Sequence, residues 1–152
     1  MADGAFEETA KEIVERFAAL EGPLLPILHA VQDKFGYLPP ACVAAIAEGL
    51  NLSRAEVQGV ISFYPLFRVK PPGQRIIAIC RAEACQAMGG AALEAHAESA
   101  LGIGFGETSA DGEVTLEPVY CLGNCACAPS MTVDGVLHAR VDAKRFDELM
   151  GR

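Results

Sequence analysis

The sequence predicts a mixed α/β (α+β) fold, in which an N-terminal helical bundle is followed by a domain built around a sheet. Two observations support this prediction. Apolar residues recur with a helical period up to about residue 65, whereas short β-rich runs follow Lys70-Pro71-Pro72-Gly73. That stretch can continue neither a helix nor a central strand. We therefore predict two domains, residues 1–70 and residues 71–152.

Four helices are predicted in the first domain, each with one apolar face. Gly22-Pro23 ends the first helix and starts the second, which ends at Gly36. Ser53-Arg54-Ala55-Glu56 has the form of a capping box at the start of the fourth helix. We interpret the bundle as a packing and docking unit. Its apolar faces are Phe6, Ala10, Ile13, Val14, Phe17 and Leu20; Leu24, Leu28, Val31 and Phe35; Val43, Ile46, Ala47 and Leu50; and Val57, Val60, Ile61 and Tyr64.

The second domain begins with a predicted strand, helix and strand. Ile76-Ile77-Ala78-Ile79-Cys80 is a continuous apolar run, which is typical of a strand covered on both faces. Residues 86–101 have a helical pattern. Residues 113–120 form the next strand, with Val114, Leu116 and Tyr120 in phase, and Pro118 places that strand near an edge or a bulge. Because a helix connects the two strands, we expect them to be parallel.

A hairpin and a helix complete the predicted domain. Asp134-Gly135 is the signal for a primed turn between Met131-Thr132-Val133 and residues 136–141. Asp142 can cap the last helix. The resulting order of elements is that of a thioredoxin-like domain in which a loop replaces the middle helix. The pattern leaves open whether residues 103–110 add a further strand.

Composition and charge exclude several classes of function. The chain has 152 residues, of which 51% are hydrophobic and 21% charged, so it can bury a core without disulfides. Its net charge of −8 argues against binding to nucleic acid or to anionic membranes. The N-terminal residues have no basic region or apolar run typical of a secretory signal, and no segment approaches the roughly 20 apolar residues of a membrane span. We expect a cytoplasmic protein without direct membrane insertion.

Four of the six cysteines form two spaced pairs. Cys80 and Cys85 are spaced C-x4-C, and Cys121 and Cys125 are spaced C-x3-C. Cys80 ends the first parallel strand and Cys121 follows the second, and the carboxyl ends of parallel strands lie at one edge of a sheet. The two loops can therefore present four thiolates to one point. This set suits a [2Fe–2S] cluster or a structural zinc.

The loops favour the cluster over zinc, although the spacing alone leaves zinc and free thiols open. Zinc sites more often use tight C-x2-C knuckles, whereas these loops are wider. The loops also contain small or turn-forming residues whose backbone amides could approach the sulfurs: Ala84, Gly123, Asn124 and Ala126. The alternative of another class is a zinc-stabilised interaction module.

Two stretches carry a family resemblance. Cys80-Arg81-Ala82-Glu83-Ala84-Cys85-Gln86-Ala87-Met88-Gly89-Gly90 and Cys121-Leu122-Gly123-Asn124-Cys125-Ala126 resemble the thioredoxin-like [2Fe–2S] subunits of NADH-linked oxidoreductases. These are the small iron–sulfur subunit of respiratory complex I, its counterpart in NAD-reducing hydrogenase and the gamma subunit of NAD-dependent formate dehydrogenase. The segment from Cys80 to Gly90 and the short length are most similar to the last of these. The resemblance covers nearly the whole chain.

The resemblance implies a function in electron transfer. It implies that Cys80, Cys85, Cys121 and Cys125 bind one [2Fe–2S] cluster and that the chain has no catalytic site of its own. The implied partners are a flavin-containing NADH-binding subunit and a separate molybdenum- or tungsten-containing subunit that oxidises formate. Equivalent subunits of complex I or of an NAD-reducing hydrogenase are the alternatives.

Three further residues are interpreted structurally. Cys127 departs from the family pattern, which more often has a non-cysteine there, and we interpret it as a spare thiol. Cys42 lies beside the apolar stripe of the third helix and is interpreted as an inert buried thiol. Pro129 occupies the place at which thioredoxin-like folds carry a cis proline.

Overall fold

The computed structural model describes residues 2–151, and the contacts within the chain divide it between Pro71 and Pro72 into two compact units. Each unit has a hydrophobic core of its own. The first unit contains the helices α1 (Ala2–Phe17), α2 (Leu24–Phe35), α3 (Pro40–Leu50) and α4 (Arg54–Phe63).

The ends of these helices follow the local signals in the sequence. Gly36 ends α2 with a left-handed φ of 80°, which glycine adopts without a steric penalty. The predicted capping box of α4 is confirmed. The Ser53 hydroxyl accepts the Glu56 N–H at 3.2 Å, and the Glu56 carboxylate accepts the Ser53 N–H at 2.8 Å.

The predicted apolar faces extend too far at two helix ends. Helix α1 ends at Phe17, so Leu20 lies beyond it and is 49% exposed. Tyr64 caps the end of α4 in an extended conformation and is 40% exposed. The prediction was wrong at both positions because a periodic pattern continues in the sequence after the backbone has left the helix. The other predicted face residues are buried in the core or packed against it.

Cys42 is buried on α3, as expected for an inert thiol, and its sulfhydryl donates to the Phe6 carbonyl at 3.4 Å. Burial and the nearby Glu7 carboxylate raise the pKa of Cys42 to about 11. Because the unperturbed pKa of this thiol is 9.0, the thiolate fraction at pH 8 is about 100-fold lower in the folded protein than in the unfolded one. We therefore expect iodoacetamide to label Cys42 at least about 100-fold more slowly in native than in urea-unfolded protein, as measured by peptide mass spectrometry. Equal labelling rates would contradict this assignment.

The second unit is a five-stranded mixed sheet with three helices, within the part of the chain that the structure describes. The strands lie in the order β2-β3-β1-β4-β5, with β1 parallel to β3 and antiparallel to β4. The elements are β1 (Arg75–Cys80), α5 (Glu83–Ala87), α6 (Gly90–Leu101), β2 (Glu107–Thr108), β3 (Val114–Val119), a 3₁₀ turn (Cys125–Cys127), β4 (Met131–Val133), β5 (Val136–His138) and α7 (Ala143–Met150).

Most of the predicted order of this unit is confirmed. The first two predicted strands are parallel, and a hairpin and a helix follow. Asp134 and Gly135 have φ angles of 51° and 80°, as a primed turn requires. The Asp142 carboxylate caps α7 by accepting the Arg145 N–H at 2.8 Å. The peptide bond before Pro129 is cis.

Two predictions for this unit were wrong in detail. Residues 86–101 do not form one helix, because Gly89 has a left-handed φ of 97° and separates α5 from α6. Tyr120 is not in phase with the buried residues of its strand, because β3 ends at Val119 and leaves Tyr120 70% exposed.

Residues 103–110, for which the sequence left a further strand open, contain the short strand β2 (Glu107–Thr108). It pairs with β3 only at Thr115 and Leu116. Pro118 therefore lies on a stretch of β3 without a second neighbour on the β2 side, which agrees with its predicted place near an edge. Among residues 2–151, no helix combines the length and apolar character that crossing a membrane requires.

Candidate metal centre

The four paired cysteines lie on two loops at the carboxyl ends of β1 and β3. Cys80 is the last residue of β1 and is in register with Val119, the last residue of β3. Cys121 follows β3 by two residues. Cys85 lies in α5 and Cys125 begins the 3₁₀ turn. The parallel pairing of β1 and β3 thus brings both loops to one edge of the sheet.

The two pairs differ in their exposure to solvent. Cys80 and Cys85 are only 3% and 2% exposed, and they pack against Ala128. Cys121 and Cys125 are exposed, and their sulfur atoms are 3.7 Å apart. One pair therefore lies inside the domain and the other at its surface.

Backbone amides surround the sulfurs. The Gly123 N–H donates to the Cys121 sulfur at 3.4 Å, and the amides of Ala82, Cys121 and Leu122 act to lower the pKa of the Cys80 thiol. Cys121 has a left-handed φ of 87°, which is strained for a residue other than glycine. Such N–H···S bonds stabilise thiolates and tune the properties of a bound metal centre.

The pKa values of three of these thiols show how closely they interact. Burial raises the pKa of Cys80, but its net pKa is lowered because amide N–H groups and the Cys85 thiol donate to its sulfur. The pKa of Cys85 is raised by burial and by its bond to Cys80, and nearby Cys125 adds to this effect. The pKa of Cys125 is raised chiefly by its hydrogen bond to Cys121. These interactions link both pairs.

Cys127 lies in the second loop but is held differently. Its carbonyl oxygen accepts the Arg140 N–H at 2.9 Å and the Ser130 hydroxyl at 3.3 Å. Within residues 2–151, the hydrogen bonds that join the other loop cysteines do not include the Cys127 thiol. The backbone of Cys127 is thus part of the loop's support.

Two buried polar residues support the loops, and the sequence did not predict either of them. Ser130 is 1% exposed; its carbonyl accepts the Cys80 N–H at 3.0 Å, and its hydroxyl accepts the Asn124 side-chain amide at 3.0 Å. Ser130 thereby connects the two cysteine loops. Glu94 on α6 is 9% exposed and binds residues beside Cys80 and Cys85. Its place at helical spacing among the buried Leu93 and Ala97 is a signal that could have identified it.

The donor set of four thiols in two pairs fits a two-iron cluster. Within residues 2–151, no three side chains of histidine, cysteine, aspartate or glutamate converge closely enough to hold one ion. A [2Fe–2S] cluster takes two protein ligands at each iron, so two separate thiol pairs are what it needs.

Comparison with known proteins identifies the family. Residues 10–152 match the family described as "Thioredoxin-like [2Fe-2S] ferredoxin". The chain belongs to this family. Membership confirms the predicted thioredoxin-like fold and the predicted [2Fe–2S] cofactor of this ferredoxin.

Relatives of this ferredoxin are subunits of larger oxidoreductases. It is 40% identical over 128 residues to the E subunit of NADH-quinone oxidoreductase from Mycobacterium tuberculosis, and this match covers 84% of the chain but only 51% of the relative. It is 36% identical over 146 residues to an E-type subunit of NADH-quinone oxidoreductase from Rhizobium meliloti, covering 93% of the chain and 87% of the relative. The chain thus spans about half the length of the mycobacterial protein.

A solved structure shows the same fold within a much longer chain. The ferredoxin superposes on the crystal structure of an NAD⁺-reducing [NiFe]-hydrogenase in the air-oxidised state with a TM-score of 0.73 and 28% sequence identity. The match covers 85% of this chain and 22% of the hydrogenase chain.

Proposed function

We propose that this ferredoxin is an electron-transfer subunit of an NAD-linked oxidoreductase complex and that Cys80, Cys85, Cys121 and Cys125 bind its cluster. The observation that carries the proposal is the arrangement of two thiol pairs on adjacent loops at one edge of the sheet. A bound [2Fe–2S] cluster accepts and releases one electron at a time. This chemistry needs no general base or nucleophile, so the chain requires no catalytic site of its own.

The residues of the chain supply the environment for this chemistry. Cys80 and Cys85 hold one side of the site away from water. The amides of Ala82, Leu122 and Gly123 offer donors that stabilise negative charge on sulfur. These donors are fixed by the backbone, so they keep their positions when the charge of the site changes.

The exposed thiol pair supports a function within a complex. Tyr120, which precedes the exposed Cys121 in the sequence, is 70% exposed. Met88, which lines the same cavity as the exposed Cys125, is 63% exposed. A cavity of about 670 Å³ adjoins Cys125 and is lined by Met88 and Ala126 among others. Exposed apolar residues beside a redox site are typical of a surface that docks a partner. The proposed partner here is the flavin-containing NADH-binding subunit.

We further propose that residues 1–70 form a docking bundle and residues 71–152 the cluster-binding domain. Their separate cores support this division. In the bundle, three apolar side chains spaced three residues apart, at the end of α4 and just after it, are strongly exposed: Phe63, Leu66 and Val69. The proposed location of the protein is the cytoplasm, where thiols are kept reduced for metal binding.

The proposed complex is an NAD-dependent formate dehydrogenase, in which a molybdenum- or tungsten-containing subunit oxidises formate. The segment from Cys80 to Gly90, which resembles the gamma subunit of that enzyme, supports this choice. The second candidate is the equivalent subunit of complex I or of an NAD-reducing hydrogenase. Its support is the 40% identity to the mycobacterial NADH-quinone oxidoreductase subunit and the structural similarity to the hydrogenase.

Metal analysis and spectroscopy test the proposed cofactor site. Full-length protein purified without oxygen is expected to contain about two irons per chain and, after reduction with dithionite, to give a [2Fe–2S] EPR signal. A colourless protein with one zinc per chain would contradict the proposal and favour the zinc-stabilised module.

The choice of complex requires the native assembly. The tagged chain, purified from its source organism, is expected to bring with it a flavoprotein and a molybdenum or tungsten subunit. In that assembly, formate alone is expected to reduce the cluster, as followed by EPR. Reduction by H₂ but not by formate would instead assign the chain to a hydrogenase. Reduction by NADH alone, with a quinone reductase co-purifying, would assign it to a complex I.

A further inference from the structure

Glu94 is a carboxylate buried within the cluster-binding domain. It lies in the first half of α6, and only 9% of the residue is exposed. A buried carboxylate is unfavourable unless donors satisfy it. Two donors do so. The Arg81 Nε donates to Glu94 Oε2 at 3.0 Å, and the Gln86 side-chain amide donates to Glu94 Oε1.

These two donors stand at the two ends of one cysteine loop. Arg81 directly follows Cys80, and Gln86 directly follows Cys85. The Arg81 guanidinium also lies over the Phe105 ring, with its carbon 4.8 Å from the ring centroid. One carboxylate on α6 therefore binds both ends of the segment that presents Cys80 and Cys85.

This segment needs support from outside itself. Helix α5 has only five residues and no side-chain cap at its N-terminus. A helix of that length is not stable without tertiary contacts. Helix α6, by contrast, is fixed to the domain. Leu93 and Ala97 lie in the core, and His96 bonds to Asp147 of α7 at 2.7 Å.

We propose that Glu94 is a positioning residue for the cluster: through Arg81 and Gln86 it holds the Cys80–Cys85 loop in the shape that binds metal. Glu94 acts through its neighbours and is not itself a ligand. The inference rests on the proposed ligand set. Glu94 itself lies on α6, outside both cysteine loops.

Two substitutions of Glu94 separate the effect of its contacts from the effect of its charge. In Glu94→Ala both acceptors are lost, and we expect a chelator to remove iron about tenfold faster, since bonds of this charge-assisted kind contribute at least that factor. The EPR line shape of the reduced protein is also expected to change. In Glu94→Gln the side-chain oxygen still accepts from Arg81, and a reoriented Gln86 amide can accept from the new NH₂. We expect this variant to lose iron within about threefold of the wild-type rate.

A matched control lies one turn further along the same helix. Glu98→Ala removes the same side chain and the same charge from an exposed position of α6. It is expected to leave both the EPR spectrum and the rate of iron loss unchanged. Gln86→Ala removes only the hydrogen bond from Gln86 to Glu94. We expect it to lose iron at a rate between those of the wild type and Glu94→Ala. Gln86→Ala and Glu94→Gln therefore still test the proposal if Glu94→Ala does not fold.

The outcomes distinguish this inference from the proposed function. A wild-type protein without iron would overturn the proposed function. A wild-type protein with its cluster, but with Glu94→Ala matching it in EPR spectrum and iron retention, would overturn only the positioning role of Glu94. Iron loss from Glu94→Gln as fast as from Glu94→Ala would also overturn it, because charge and not loop contacts would then be responsible.

Discussion

Replacing Cys125 with serine is expected to abolish or alter the cluster, whereas replacing Cys127 with serine is expected to leave it intact. The Cys125 sulfur lies 3.7 Å from the Cys121 sulfur and interacts with Cys80, so it belongs to the connected set of thiols. A serine hydroxyl is a harder and less acidic ligand than a thiol and binds iron–sulfur clusters poorly. Iron analysis and the EPR spectrum of the dithionite-reduced protein measure the effect.

Cys127→Ser is the matched control, because it makes the same atomic change two residues away in the same loop. The backbone bonds that hold this position, from the Arg140 N–H and the Ser130 hydroxyl to the Cys127 carbonyl, are kept. Full iron content with an unchanged spectrum is the expected result. If Cys127→Ser lost the cluster and Cys125→Ser kept it, the ligand of the second loop would have to be reassigned to Cys127.

Local chemistry explains which parts of the fold could be predicted. The Ser53–Glu56 capping box and the Asp134-Gly135 turn depend on residues within a few positions of each other, and the structure contains both. The parallel pairing of β1 and β3 follows from a general rule about helical crossovers. The proximity of the two cysteine pairs then follows from their places at the ends of these strands.

The missed features depend on contacts between distant segments. Glu94 lies 13 residues from Arg81, and the sequence marks neither as a partner of the other. Ser130 reaches Cys80 across 50 positions, which become neighbours only once β4 pairs with β1. The break between α5 and α6, by contrast, is a local feature. Gly89 and Gly90 were visible as glycines, but their function depends on how closely α6 approaches the cysteine loop.

Gly90→Ala is expected to disrupt that approach and to release the cluster. A Cβ at residue 90 would lie 2.7 Å from the Cys85 carbonyl oxygen and 2.9 Å from its carbonyl carbon. Both atoms belong to the backbone, so they cannot rotate away as a side chain would. The start of α6 or the peptide of Cys85 must move instead, and Cys85 is a proposed ligand. We expect the free energy of unfolding to fall by about 1–3 kcal/mol and the iron content to fall with it.

Gly104→Ala separates this effect from the general effect of adding a methyl group. Its Cβ would approach no atom more closely than 3.4 Å, and that atom is the end of the flexible Glu107 side chain. Urea unfolding and iron analysis of both variants provide the comparison. Near-wild-type stability and iron content are expected for Gly104→Ala. If Gly90→Ala kept its iron and its stability, the close approach of α6 to the Cys85 peptide would not be required for the site. The position of Cys85 would then have to depend on other contacts, such as those with the amide of Ser130 and the thiol of Cys80.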